Sequence, residues 1–193
     1  MDVKDLILIK DDVIPYSALS SFLKWINNQS DQFQQAKVVE SKNVKDVVDE
    51  SIRKVQNFTL KQFSKSQTEI HWVNFFIKNF IDQIHGYQNH FQTNCAVDGI
   101  LEITVLKYVN SGHYSYHCDH CKSHPRTLSL IYLCNNDYEG GDLVFGSIDK
   151  KDEILRVEKL PNRLIIWPSN YVYPHKVEPV TKGTRYSIVS WAL

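Results

Sequence analysis

The chain is poor in the features that would mark a membrane, secreted or nucleic-acid-binding protein. Its N-terminal apolar run is only Leu6 to Ile9, between Asp5 and Lys10, which does not read as a signal peptide. No segment approaches the roughly 18 apolar residues of a membrane-spanning helix. Excess charge of one sign is missing as well: Lys plus Arg number 22, Asp plus Glu number 22, and the formal net charge is +0. Without a surplus there is no long-range pull toward nucleic acid or an acidic bilayer, so neither is expected as a partner. Four cysteines, Cys95, Cys118, Cys121 and Cys134, are too few for a disulfide scaffold in 193 residues. They point to free thiols in a reducing, cytoplasmic setting. No internal repeat, low-complexity tract or linker interrupts the chain. At 42% apolar it has material for one core, and one domain is expected over 1–193.

The two halves of the chain differ in period. Residues 1–97 read as a mostly helical support region, with helix favoured over 14–92. Leu19, Phe22, Leu23 and Ile26 recur at helical spacing, and so do Val73, Phe76, Ile77, Phe80, Ile81 and Ile84. Such an aromatic stripe is read as core packing. Residues 40–66 are charged and Ser/Lys-rich without a period, either a loop over a site or a solvated connection. From 98 onward the period is two. Strands are expected at 100–109, 114–120, 127–134, 143–145, 154–160, 163–167, 175–180 and 185–192, separated by turn-formers such as Gly140-Gly141 and Lys182-Gly183. This pattern predicts an α+β fold: a sandwich, barrel or jelly roll in 98–193, with the N-terminal helices packed on one sheet.

Within the strand-rich half, His117-Cys118-Asp119 carries the chemistry. Side chains alternate along a strand, so His117 and Asp119 share one face and Cys118 takes the other. His175, opening a late strand, is the best third ligand. Two imidazoles and a carboxylate occupy one face of an octahedron and leave three positions open, the arrangement of non-haem Fe(II) oxygenases. An α-keto acid can chelate iron there and leave a position for O2. Its far carboxylate needs a fixed cation, and Arg185 follows His175 across a turn through Thr181 and Thr184. Folding at Val180 would set Arg185 nearly opposite His175 on the adjacent antiparallel strand. A guanidinium fork grips a carboxylate with two parallel hydrogen bonds, which Lys182 cannot match. Singly, each residue has a plain structural reading; together and in this order they form a site.

These residues resemble the prolyl 4-hydroxylase branch of the Fe(II)/2-oxoglutarate dioxygenases. The similarity covers residues 100–193. Tyr108, Gly112 and Tyr114 lead into His117-x-Asp119, Arg126 to Tyr132 gives the following strand, and Glu139-Gly140-Gly141-Asp142 with Phe145 gives a turn. Pro174-His175, Gly183, Arg185, Ser187 and Trp191 close it. The resemblance implies a double-stranded β-helix, with Fe(2+), 2-oxoglutarate and O2 consumed in hydroxylating a peptidyl proline and releasing succinate and CO2. Ascorbate is the reductant that goes with it. By position it makes His117, Asp119 and His175 the iron ligands, Arg185 the grip on the 2-oxoglutarate tail, and Tyr108 a pocket residue bonding co-substrate or substrate. A half-buried strand tyrosine is the alternative for Tyr108. Animal-collagen-type members carry lysine at the Arg185 position, so arginine points to the bacterial, viral or oxygen-sensing subset. Some relatives place tyrosine where Leu133 stands. Asp49 to Arg53 resembles an arginine-bearing segment near the substrate groove, though a solvent-exposed Arg53 is favoured.

Rival readings stay open at this point. Cys118 and Cys121, with His113 and His124 nearby, could form a non-catalytic zinc-binding module, but strand alternation turns Cys118 away from His117. A jelly-roll binding protein without activity is a second rival. The same oxygenase chemistry on a free amino acid, another small molecule or a nucleobase is a third. The residues carry no signal for an oligomeric state.

Overall fold

The computed structural model describes residues 2–40, 45–93, 97, 99–122 and 125–193; Cys95 and His124 lie outside these. In chain order come β1 (Leu8–Lys10), α1 (Tyr16–Ile26), β2 (Gln34–Gln35), β3 (Val38–Glu40) and β4 (Lys45–Val47). They are followed by β5 (Arg53–Lys54), β6 (Gln56–Thr59), α2 (Gln67–Phe91), β7 (Thr104–Tyr108) and β8 (His113–His117). Next are β9 (Leu128–Leu133), β10 (Glu139–Gly140), β11 (Leu143–Gly146) and β12 (Glu153–Val157). The chain closes with β13 (Arg163–Pro168), β14 (His175–Val177), β15 (Val180–Lys182) and β16 (Arg185–Ala192).

Helix α2 begins where the sequence allows a cap. The Ser66 side chain accepts from the Glu69 amide, satisfying one of the free N–H groups of the first turn. Glu69 adds a negative charge at the positive end of the helix. Val73, Phe76, Phe80 and Ile84 are buried as their spacing predicts, together with Trp72 and Tyr87. The helix stops at Gln92, whose φ of 50° is left-handed.

Two antiparallel sheets carry the rest. The major sheet runs β1-β13-β9-β16-β7-β6-β2, and the minor one β12-β11-β14-β8-β5. Strand β9 shows why they stack: all six of its residues are buried. Leu128, Leu130 and Tyr132 face α1 and α2 in one core with Phe22, Phe76 and Phe80. Ile131 and Leu133 face the minor sheet in a second core with Leu143, Phe145 and Val177. A strand covered on both faces has no reason to alternate, hence the unbroken apolar run from Leu130 to Leu133. Burying a side chain such as Phe76 contributes roughly 1.5–3 kcal/mol. This is the expected α+β double-stranded β-helix, with both helices on the outer face of the major sheet.

Several expectations require correction. The favoured helix over 14–92 is broken by β2 to β6, so residues 1–97 are not mostly helical. Strands of two to four residues carry too little period to be read locally; pairing of β6 with β7 and of β5 with β8 makes them strands. The expected strand at 114–120 stops at His117, leaving Asp119 in a bend. The expected strand at 175–180 divides after Val177, before Pro179, which has no N–H for the ladder. Among the described residues no helix is long and apolar enough to cross a membrane.

Candidate metal centre

His117 ends β8 and His175 begins β14, and the two are direct cross-strand partners. Their rings lie 4.2 Å apart. Asp119 bends back toward both: its Oδ1 is 3.7 Å from His117 Nε2 and its Oδ2 3.6 Å from His175 Nε2. One donor atom from each of the three lies within 4.8 Å of the others. A bend therefore achieves what strand alternation was expected to achieve.

Backbone carbonyls set the tautomers. His117 Nδ1 meets Ser115 O at 2.9 Å, and His175 Nδ1 meets Tyr173 O at 3.1 Å. A carbonyl only accepts, so each Nδ1 carries the hydrogen and each Nε2 turns a lone pair inward. Burial pushes the pKa of His117 well down, His175 adds to this, and Asp119 opposes it. Burial alone would raise Asp119; His175, His117, the Ser129 hydrogen bond and Arg126 outweigh it, and the carboxyl is held below its ordinary range. Ser129 donates to Asp119 Oδ2 at 2.6 Å, with the Ser169 hydroxyl 2.8 Å behind it. Neutral imidazoles beside a fixed carboxylate are the donor set a ferrous ion takes.

Arg185 reaches the interior by another route than the sequence predicts. It does not pair with His175: β14 lies in the minor sheet, while Arg185 opens β16 in the major sheet opposite Tyr108. The correction has a topological cause, because β15 pairs with β10 and carries the chain from one sheet to the other. Arg185 has no exposed surface. Its Nη1 donates to Ser187 Oγ at 2.7 Å, while Nε and Nη2 are buried with no partner. Its Cζ stands 5.0 Å from the centre of the Tyr108 ring, and Tyr108 is itself buried, which pushes its hydroxyl pKa up. Gly141 lets the chain pass here: with φ at 65°, a Cβ would stand 3.0 Å from Arg185 Cδ. A buried guanidinium with two unmet donors and no counter-ion among the described residues is built for an anion. This fits a co-substrate carboxylate.

Between the sheets lies a cavity of about 150 Å³, lined by the three donor residues and by Tyr108, Ile131 and Trp167. It opens into a groove of about 630 Å³ bordered by Gln35, Lys37, Arg53, Tyr114 and Arg126. Arg53, expected in solvent, instead lies over the Tyr114 ring at 4.6 Å, with its Nε buried. Its two-residue strand gave no sign of this. Arg126 stacks on Trp191 at 3.5 Å, so Trp191 borders the cavity and is only partly buried. Ser129 did leave a trace, being the polar residue inside an apolar strand. Cys118 turns away, its Sγ directed at Tyr171 O, and the described residues group no cysteine with a metal-ligating cluster. The zinc-module reading is therefore not favoured.

Comparison with known proteins agrees with this geometry. Residues 103–193 match the family described as the 2OG-Fe(II) oxygenase superfamily. Human prolyl 3-hydroxylase 2 is 33% identical over 66 residues, covering 34% of this chain and 9% of that protein. A PKHD-type hydroxylase of Gloeothece citriformis is 41% identical over 66 residues, covering 34% of this chain and 27% of its own. The chain thus spans well under two thirds of these relatives. A Trichoplax adhaerens prolyl hydroxylase, solved with a hypoxia-inducible-factor oxygen degradation domain peptide, superposes with a TM-score of 0.75 at 19% identity. That match covers 97% of this chain and 83% of the other.

Proposed function

We propose, from the match of residues 103–193 to the 2OG-Fe(II) oxygenase superfamily, that this protein is a prolyl hydroxylase dependent on Fe(2+), 2-oxoglutarate and O2. One observation carries the reading: His117, Asp119 and His175 converge on a cavity that Tyr108 also lines, and behind Tyr108 stands a buried arginine with two unmet donors. In it the three residues hold the iron, and Arg185 holds the distal carboxylate of 2-oxoglutarate. When bound, the iron would supply a centre at which O2 is the oxidant and the keto acid the co-reductant, one oxygen atom going to substrate and the other into succinate as 2-oxoglutarate loses CO2.

The chain's own side chains do the rest. Ser129 and Arg126 keep Asp119 oriented and ionised. Backbone acceptors keep both imidazoles in the ligating tautomer. Leu106, Ile131, Val189 and Trp167 give the cavity an apolar wall, which limits the water that could compete for an open position. The Tyr108 ring backs the Arg185 guanidinium.

A peptidyl proline is the proposed substrate. The groove above the cavity supports it, as do the relatives named prolyl hydroxylases. Ascorbate as external reductant and a cytoplasmic setting belong to the same reading. The first is tested by whether turnover decays without ascorbate. The second is supported by the free thiols of Cys118 and Cys134 and tested by locating the tagged protein in cells. The decisive assay is aerobic incubation with Fe(II), labelled 2-oxoglutarate and proline-containing peptides. Succinate release matched by one added oxygen on proline is the expected result. Succinate release with no peptide product would move the substrate to a free amino acid or another small molecule.

A further inference from the structure

Hydrogen-bond donors line the groove over the metal centre. Lys37, Arg53 and Arg126 border it, and Asp119, already engaged with the two imidazoles, is the one carboxylate in its described lining. Gln35 Nε2, Arg53 Nε and Arg126 Nε are all buried without an acceptor. An N–H removed from water and left unpaired is unfavourable, and a cluster of them at one opening calls for an acceptor-rich ligand.

The two arginines are not equivalent. Arg126 shares the field of Asp119, 3.9 Å away, and of Glu102. Arg53 has no ion pair among the described residues. Its Nη1 donates to Lys37 O at 3.1 Å, which leaves the Nε–Nη2 edge without a hydrogen bond there. That edge matches a carboxylate, which takes two parallel N–H bonds; a single peptide carbonyl would satisfy only part of it and leave the charge unmatched. Lys37, exposed beside it, adds a second positive charge. The guanidinium is also pre-positioned on the Tyr114 ring, and that ring stacks on His117 at 3.5 Å. Arg53 is thus one aromatic ring away from a proposed iron ligand. An extended peptide advances about 3.3 Å per residue, so an acid one or two positions from the reacting residue reaches it.

We propose that this groove selects peptides with an aspartate or glutamate one or two residues from the hydroxylated position, and that Arg53 receives that carboxylate. The inference rests on the peptide-hydroxylase reading and names its substrate class. The test uses the full chain loaded with Zn(II) and 2-oxoglutarate, where no turnover occurs. Fluorescence anisotropy compares labelled proline peptides that differ only by Asp against Asn, or Glu against Gln, at each flanking position. One flanking acid should tighten binding about tenfold over its amide, as a charge-assisted fork implies. The ratio should shrink at about 0.5 M salt, where exposed charges are screened. Arg53→Gln should bring the ratio below about twofold, and Arg53→Lys should keep part of it. Equal binding of acid and amide peptides at every position, or a preference that survives Arg53→Gln, would overturn the inference while leaving peptide binding intact. Failure to bind any peptide, with 2-oxoglutarate still consumed by the iron-loaded protein, would remove the peptide reading and this inference with it.

Discussion

Two arginines on opposite sides of the minor sheet divide the molecule's electrostatics. Arg156, on β12, is saturated: it donates to Glu153, Asp142 and Glu178, with distances from 2.7 to 3.2 Å. These bonds, that to Glu178 foremost, raise its pKa. Arg185, enclosed between the sheets, has only the hydroxyls of Ser187 and Tyr138 for polar company, no acid among the described residues, and two idle donors. The exposed arginine has acids it barely needs, since water would solvate it anyway. The buried one lacks the acid that burial demands. Folding alone would not select that arrangement, so the interior charge is kept for something that arrives later. Arg53, with no ion pair among the described residues and its Nε buried without an acceptor, repeats the theme at the mouth of the site.

Breaking the interior side of this contrast should give the largest effects. Asp119→Ala takes the carboxylate from between two imidazoles, and we expect it to lose Fe(II) binding and all turnover at neutral pH. Titration with Co(II), followed by its absorbance, reads the metal directly; a variant that still binds one equivalent tightly would end the assignment.

Arg185→Met is the sharper instrument because its two effects have opposite signs. It should weaken 2-oxoglutarate by about a hundredfold in equilibrium binding, as expected for losing a buried bidentate grip, and leave the metal in place. It should also stabilise the ligand-free protein by about 1–3 kcal/mol in denaturant unfolding, because an unpaired buried charge is replaced by an apolar chain of similar length. A less stable ligand-free variant would mean that Arg185 is structural.

The exterior network should respond weakly and only to pH. Glu178 is held down to about 2 from an ordinary 4.5, chiefly by its hydrogen bond to Arg156. A depressed carboxylate stabilises the fold above its ordinary pKa and loses that contribution as pH falls toward the lower value. Glu178→Gln should therefore be less stable than the parent at pH 7, with the difference shrinking below the ordinary 4.5 and vanishing only as pH falls through about 2. Arg156→Ala at pH 7 should cost under about 1 kcal/mol, since solvent screens this partly exposed cluster. A larger loss, read from the same unfolding curves, would show the outer network to be more than surface charge.

Much of this was legible in the residues because the signals are local. The α2 stripe, the buried β9 and the positive-φ glycines Gly140 and Gly141 each announce themselves within a few positions. So does the short distance from His117 to Asp119. Arg53 was unreadable because a two-residue strand has no period, and only its pairing with Tyr114 and His113 draws it inward. The route to Arg185 was misjudged for a related reason. A turn between two strands looks the same in sequence whether they pair with each other or belong to different sheets.

By itself the sequence determined which chemistry could be assembled: the ligand types, their order, and an arginine able to fork a carboxylate. Tertiary structure decided where they meet. The His117–His175 register, the bend that returns Asp119 and the crossing of β15 between sheets arise from contacts distant along the chain. Covalent order cannot encode such proximity, because it comes from how two sheets choose to stack.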